Sequence, residues 1–338
     1  MLSRVAENIY WLARYLERAE NTARLLVATN HALLDAPRSP VSSSQTSDSG
    51  TESQSQSQYQ ALSGQGTDWS TLINISGSQE LFYRTNPLPG EKSVMMFMAC
   101  DRDNPNSIIS SLSFARENLR TTRDAFPRKA MEYVNAMYLG FKTRTASGID
   151  NEGKFYKTLD QVIQDSQKIT GLLFSTMSRD RAFEFFRLGQ ILERADMTTR
   201  ILDMGASEMQ QVDDPSQLPF INTLWLNILR ALSAEQMYRH HVHPRISWDR
   251  IIYFLLKDEQ LPRAFCCCLK NASGSLSQLQ NHDAPKAALK ALLATLENTE
   301  LDRVLQEKRL PVLLDTLQIG LGELCAEISK TYFITEPD

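Results

Sequence analysis

The sequence predicts an all-α fold: a helical bundle built from two related helical halves, with a disordered Ser/Gln-rich insertion. Three observations predict it. Apolar residues recur at helical spacing along the chain, and no run reads as a β-hairpin or as a glycine-rich strand-to-helix turn. The segment Leu16-Glu17-Arg18-Ala19-Glu20-Asn21-Thr22-Ala23-Arg24-Leu25-Leu26 returns as Leu192-Glu193-Arg194-Ala195-Asp196-Met197-Thr198-Thr199-Arg200-Ile201-Leu202. A second pair of landmarks repeats behind the first: Phe97-Met98-Ala99-Cys100-Asp101 stands four residues before Pro105, and Phe254-Leu255-Leu256-Lys257-Asp258 stands four before Pro262.

In chain order, the first helix is set by Val5, Ile9, Leu12, Leu16, Ala19, Ala23 and Leu26, whose alternating steps of four and three keep one apolar seam. Ser3 reads as its N-cap, and Pro37 and Pro40 bound its far end. Residues 39–68, rich in serine and glutamine, offer too little apolar surface to offset the entropy of ordering them, and read as a flexible tether. Short helices are expected at 69–75, 79–83 and 92–100. A longer one follows, with Pro105 in its first turn, to about 126, and another covers 128–142. Gly148 and Gly153 mark a loop, and helices are expected at 155–177 and 179–204, the second carrying the returning segment. Further helices are expected at 224–239, 248–256, 263–269, 285–296 and 313–333. Leu112 and Leu269 follow their prolines by seven residues, and Trp69 and Trp225 are near-equivalents. The Glu-Arg copies are 176 positions apart and the proline landmarks 157. The shortfall falls where the Ser/Gln tract lies, so an insertion accounts for it. The halves are therefore placed at 1–177, with 39–68 as the insertion, and 178–338.

The bulk numbers narrow the function. The 338 residues are 42% hydrophobic and 22% charged, as in ordinary globular proteins. A formal net charge of -4 gives no strong field for nucleic acid. Charged residues interrupt each apolar run near the N-terminus, and no stretch reaches the ~20 apolar residues that cross a bilayer. Five cysteines, three of them consecutive, make no disulfide framework. The expectation is a cytoplasmic protein with reduced thiols and no membrane contact; the oligomeric state stays open.

The charges recur along with the apolar positions. Tyr10, Ala13, Glu17, Glu20 and Arg24 share a helical face, as do Phe186, Gly189, Glu193, Asp196 and Arg200. The small residue in each lets another backbone come close. Glu20–Arg24 and Asp196–Arg200 are acid-to-arginine pairs in the better orientation, worth about 0.3–0.5 kcal/mol if exposed. Arg18 and Arg194 project from a neighbouring stripe, above Arg14 and Gln190. One reading is a pair of ion networks that fix helix register. The other is a pocket where arginines hold a carboxylate or phosphate and carboxylates hold an amine or a metal. A second cluster is Arg116-Glu117-Asn118, with Arg120 and Arg123 placed on the face of Arg116; it reads as an anion-binding strip or a solvated surface. His240, His241 and His243 lack finger or HExxH spacing and read as a polar helix end; Cys266, Cys267 and Cys268 read as small buried hydrophobes. No Ser-His-Asp, Walker or GxGxxG pattern is present, so no metal and no cofactor is expected.

At the Glu-Arg dipeptides the chain resembles the bacterial alpha-E family, an all-helical group named for that motif. The resemblance spans nearly the whole chain outside the insertion. It runs from Ser3 to Arg24, through Asn104-Pro105-Asn106-Ser107-Ile108, Ala115-Arg116-Glu117-Asn118, Asn135, Leu192-Glu193-Arg194-Ala195-Asp196, Phe254-Leu255-Leu256 and Pro262-Arg263, to Tyr332-Phe333. Such proteins are typically encoded beside, or fused to, a circularly permuted ATP-grasp amidoligase-like protein and a transglutaminase-like peptidase. The resemblance thus implies a helical partner that binds a peptide-like or amino-acid substrate, or the ligase itself. The alternative is an enzyme with a Glu/Arg-lined helical active site for peptide or amide bonds. The candidate binding residues are Arg14, Glu17, Arg18, Glu20, Arg24, Arg116, Glu117, Asn118, Glu193, Arg194, Asp196 and Arg200.

Overall fold

The computed structural model describes residues 1–35, 69–146, 148–149, 151–210 and 218–333, and those residues contain helices and no strand. The Ser/Gln tract and the prolines expected to end the first helix lie outside the described residues. So do parts of both expected halves' connections.

Helix α1 (Ser3–Asp35) is 33 residues, about 50 Å long. It starts at Ser3 itself, with the Leu2 carbonyl accepting from the backbone of Val5 and Ala6, so Ser3 is not its cap. Its apolar seam is buried at Ile9, Leu12, Leu16, Ala19, Ala23 and Leu26, while Val5 is half-buried. Ala6, Tyr10, Ala13 and Leu25 are buried too, so α1 has no single wet side along this stretch but runs through the middle of the body. Then come α2 (Trp69–Ser76), α3 (Gln79–Thr85), α4 (Glu91–Ala99) and α5 (Ile108–Thr121). Pro105 is not in the first turn of α5. Asn104 donates to the Phe97 carbonyl and accepts from the Asn106 backbone, which makes a turn, and Ser107 then caps the helix by accepting from the Ser110 backbone. A 3-10 turn at Arg123–Ala125 takes Arg123 off the face that carries Arg116. Helices α6 (Arg128–Arg144) and α7 (Glu152–Thr176) follow, the latter capped by Asn151.

Helix α8 (Arg181–Gln210) carries the second Glu-Arg copy. The expected helix at 224–239 is two helices, α9 (Leu218–Ala231) and α10 (Glu235–His241), because Ser233 adopts φ +52 between them. Helices α11 (Trp248–Lys257), α12 (Phe265–Ser277), α13 (Asp283–Glu297), α14 (Leu301–Gln306) and α15 (Leu310–Tyr332) complete the described chain. The positions around 301–306 gave no signal in the sequence, because six residues are too few to show a helical period.

Helix α1 packs against α5, α7, α8 and α9; α8 packs against α1, α12 and α15. One core runs through all of these elements, from Ile9 and Leu12 to Leu192, Trp225, Phe265 and Leu317. Helices α1 and α8 run in the same direction, since Gly189 faces Tyr10 and Ala13, and one turn further along both helices Glu193 and Arg194 meet Arg14, Glu17 and Arg18. Gly189 makes the approach possible: a Cβ there would run into the Tyr10 carbonyl oxygen and lie 3.2 Å from the Ala13 Cβ. No helix among the described residues is long and apolar enough to cross a membrane.

Candidate functional site between the two Glu-Arg helices

Neighbouring residues on a helix point in different directions, so the Glu and Arg of one dipeptide cannot pair with each other. Across the α1–α8 contact they pair reciprocally. Arg194 donates to both carboxylate oxygens of Glu17, at 2.9 Å each. Arg18 donates to both oxygens of Glu193, at 2.6 and 3.1 Å. Both are bidentate forks, the strongest ion-pair geometry available to a carboxylate. The glutamates are deeply buried, with side-chain exposure of 0% for Glu17 and 2% for Glu193. The arginines therefore do not stand apart from the acidic stripe, as helical spacing alone suggested: they bridge to the other helix.

Each glutamate takes a second arginine, from different places. Arg14, one turn before Arg18, donates from Nε to Glu193 at 2.7 Å. Its guanidinium lies over Trp11, 5.2 Å from the ring centre, and donates to the Tyr10 hydroxyl at 3.2 Å. Gln190, the residue in the matching place on α8, bonds Thr170 instead. Glu17 takes its second arginine from Arg263, in the turn between α11 and α12, at 3.4 Å. Arg263 also reaches Glu20 at 3.2 Å and the Asn21 side-chain oxygen at 2.7 Å. Its own carbonyl accepts from Thr198. Arg263 was absent from the sequence candidates. A turn has no period to reveal it, and its signals were its place after Pro262 and its share in the family resemblance.

The outer pairs lie within their own helices. Arg24 grips Glu20 at 2.7 and 2.9 Å and Ser233 at 2.6 Å. Arg200 donates from Nε to Asp196 at 2.9 Å. Asn106 accepts from Arg18 Nη1 at 3.1 Å and donates to Ser76 and Ser78. Between Asn106, Arg18, Glu193, Asp196, Met197 and Arg200 lies a cavity of about 80 Å³.

Burial by itself would raise the Glu193 carboxyl; Arg14 and Arg18 outweigh it and hold the group at about 2. Glu17 behaves alike: burial opposes ionisation, Arg194 and Arg263 favour it, and the carboxyl is lowered. For Arg263, burial wins and its guanidinium is pulled below the ordinary value, despite Glu17 and Glu20. Both glutamates are thus fixed anions, suited to holding cations and unsuited to trading protons near neutral pH.

The remaining candidates lie elsewhere. Glu117 pairs with Arg120 on an exposed face of α5. Arg116 donates to Asn135 on α6 and lies over the Tyr138 ring. Asn118 contributes its carbonyl to Thr121 and Thr122 at the end of α5. The structure does not bring these three side chains into the α1–α8 cluster. His240 and His241 are exposed neighbours at the end of α10, and His243 accepts from the Arg245 backbone. Among the described residues no three His, Cys, Asp or Glu side chains gather as a metal site.

Cys266, Cys267 and Cys268 are buried on α12, and burial raises all three thiols, Cys268 to about 12. At pH 8 the Cys268 thiolate is then about one part in ten thousand. In the native protein Cys268 is expected to label with an aromatic disulfide reagent only on unfolding. Peptide mapping after timed labelling checks this, and labelling as fast as in urea would contradict the burial.

A family model described as a predicted alpha-helical domain with a conserved ER motif matches residues 1–333. Uncharacterized proteins of Mycobacterium bovis and Mycobacterium tuberculosis are each 23% identical over 333 residues. These alignments cover 96% of this chain and 35% of the relative, so the chain spans about a third of the length of the relatives it matches. No solved structure matches it. The dipeptides Glu17-Arg18 and Glu193-Arg194, two ER pairs of this sequence, are the residues that join the two longest helices among the described residues. The chain belongs to the Alpha-E family.

Proposed function

We propose that this chain is a non-catalytic helical partner in an ATP-grasp amidoligase system, where it binds a peptide-like or amino-acid substrate, or the ligase itself. The observation that carries this reading is the cavity beside the Glu-Arg lock, lined by both signs of charge: Arg18 and Arg200, Glu193 and Asp196. A lining of that kind suits a ligand with a carboxylate and an amine. The competing reading, an enzyme using these glutamates, needs a carboxyl that exchanges protons near neutral pH. Glu193 at about 2 argues for binding instead.

The reading includes two related halves, 1–177 and 178–338, with 39–68 as a tether within the first, in a cytoplasmic protein. The reciprocal pairs support it, because Glu17–Arg194 and Arg18–Glu193 exchange under the repeat spacing. The neighbours support it too: α1 packs on α5 and α7 as α8 packs on α12 and α15. The length of the relatives leaves room for further domains joined to this one, as a fused or neighbouring ligase and peptidase would require. The test is co-purification. The full chain, tagged, is expected to retain the ATP-grasp protein encoded beside it, and a transglutaminase-like peptidase where one is present. No association with the ATP-grasp protein at micromolar concentration would overturn the partnership.

A further inference from the structure

We infer that the cavity beside Asn106 is the seat for the carboxylate group of a small peptide-like ligand, and that the chain has one such seat because Arg263 fills the matching place. The inference deepens the binding role above and rests on the reading of two related halves.

The landmark prolines put Asn106 and Arg263 in matching positions, each one residue after its proline. In the second half the Arg263 side chain runs into the cluster and ends on Glu17, Glu20 and Asn21. The matching residues around Asn106 are Glu193, Asp196 and Met197, and all three line the cavity. Asparagine is shorter than arginine and stops at Arg18. The space it leaves, about 80 Å³, is the share of roughly two to three waters, enough for a carboxylate.

The vacancy does not call for a cation, although a guanidinium fills its counterpart. Arg14 already supplies Glu193 with the second arginine that Arg263 supplies to Glu17. Each side therefore has three arginines to two carboxylates among the described residues: Arg14, Arg18 and Arg200 against Glu193 and Asp196; Arg194, Arg24 and Arg263 against Glu17 and Glu20. The cavity lining itself holds two of each sign, Arg18 and Arg200 with Glu193 and Asp196, and the excess comes from Arg14 on the same Glu193. Unmatched positive charge in a mostly buried centre is costly, and an anion entering at Arg200 relieves it. Arg200 is the group with donors to spare. Its Nε holds Asp196, and its Nη1 makes only a long contact, 3.5 Å, to the Ile75 carbonyl. Its side chain is 36% exposed, and that of Asp196 22%, against 2% for Glu193, so the cavity meets solvent at the Arg200 end. A carboxylate entering there meets Arg200 first, and an amine attached to it meets Asp196.

The test is isothermal titration of the full chain with acetate, glycine and glycinamide. Acetate and glycine are expected to bind at one per chain with saturation below about 10 mM, and glycinamide, which lacks the carboxylate, is not. Arg200→Gln, a change at a partly exposed side chain, is expected to weaken acetate at least about tenfold. Asn106→Arg builds into the first half what the second half holds, and is expected to abolish binding while the helix signal persists. Binding of glycinamide without acetate, no saturable acetate binding, or equal acetate binding by Arg200→Gln would each overturn the seat. Acetate binding that is lost in Arg200→Gln but kept in a folded Asn106→Arg would uphold the seat and overturn the correspondence between halves. Acetate binding without co-purification of the ATP-grasp protein would uphold the seat and overturn the partnership.

Discussion

Gly189→Ala is expected to destabilise the protein by about 2 kcal/mol or more, although alanine is the better helix former. In an open helix the exchange would gain up to about 1 kcal/mol. Here the added Cβ runs into the Tyr10 carbonyl oxygen, a backbone atom on α1 that no rotamer change can move. Overpacking of this kind costs about 1–3 kcal/mol, and more when the neighbour is rigid. Relief requires α1 to move off α8, which lengthens Arg14–Glu193 one turn further on. Urea unfolding followed by helix signal reads the loss directly. An unchanged or higher midpoint would mean that the two helices do not touch at this point.

Glu193→Ala is expected to cost about 3–5 kcal/mol, the larger effect of the two. It strands Arg14 and Arg18, both largely buried, without their carboxylate. The same pairing makes stability depend on pH. The Glu193 carboxyl falls from an ordinary 4.5 to about 2 on folding. Its stabilising contribution, about 3 kcal/mol, is complete above pH 4.5 and is lost as pH falls from there toward 2. The lowering of Glu17 has the same sign and adds to the loss. Urea midpoints of the wild-type chain and Glu193→Gln at pH 6 and pH 3 check this. The gap between the two proteins should narrow as pH falls, and a constant gap would count against the arginine pairing.

What the sequence revealed of the site follows from the range of each interaction. Glu20–Arg24 and Asp196–Arg200 were legible because both partners lie four residues apart on one helix. The Glu17–Arg194 and Arg18–Glu193 pairs were not, because they depend on the register of one helix against another. Only the repetition of the charges hinted at them. Arg263 escaped because it acts from a turn, and Gln190 gave no sign that it would leave Glu17 to Arg263. The helices themselves showed a similar division. Long periodic stretches such as α1 and α7 were clear within a few residues. The break at Ser233 was not, since Leu232-Ser233-Ala234 holds neither glycine nor proline and the turn is imposed by packing on both sides.

The parallel course of α1 and α8 sets an order of events during synthesis. The carboxylate of Glu17 waits for a guanidinium 177 positions downstream. At roughly 5–20 residues per second, the ribosome needs on the order of ten to thirty seconds to deliver it. Throughout that interval α1 carries an oily seam and the unanswered charges of Arg14, Glu17 and Arg18, with its principal neighbour still unmade. Until α8 is made, α1 can pack only on nearer elements such as α5 and α7, and the register between the two longest described helices is set last.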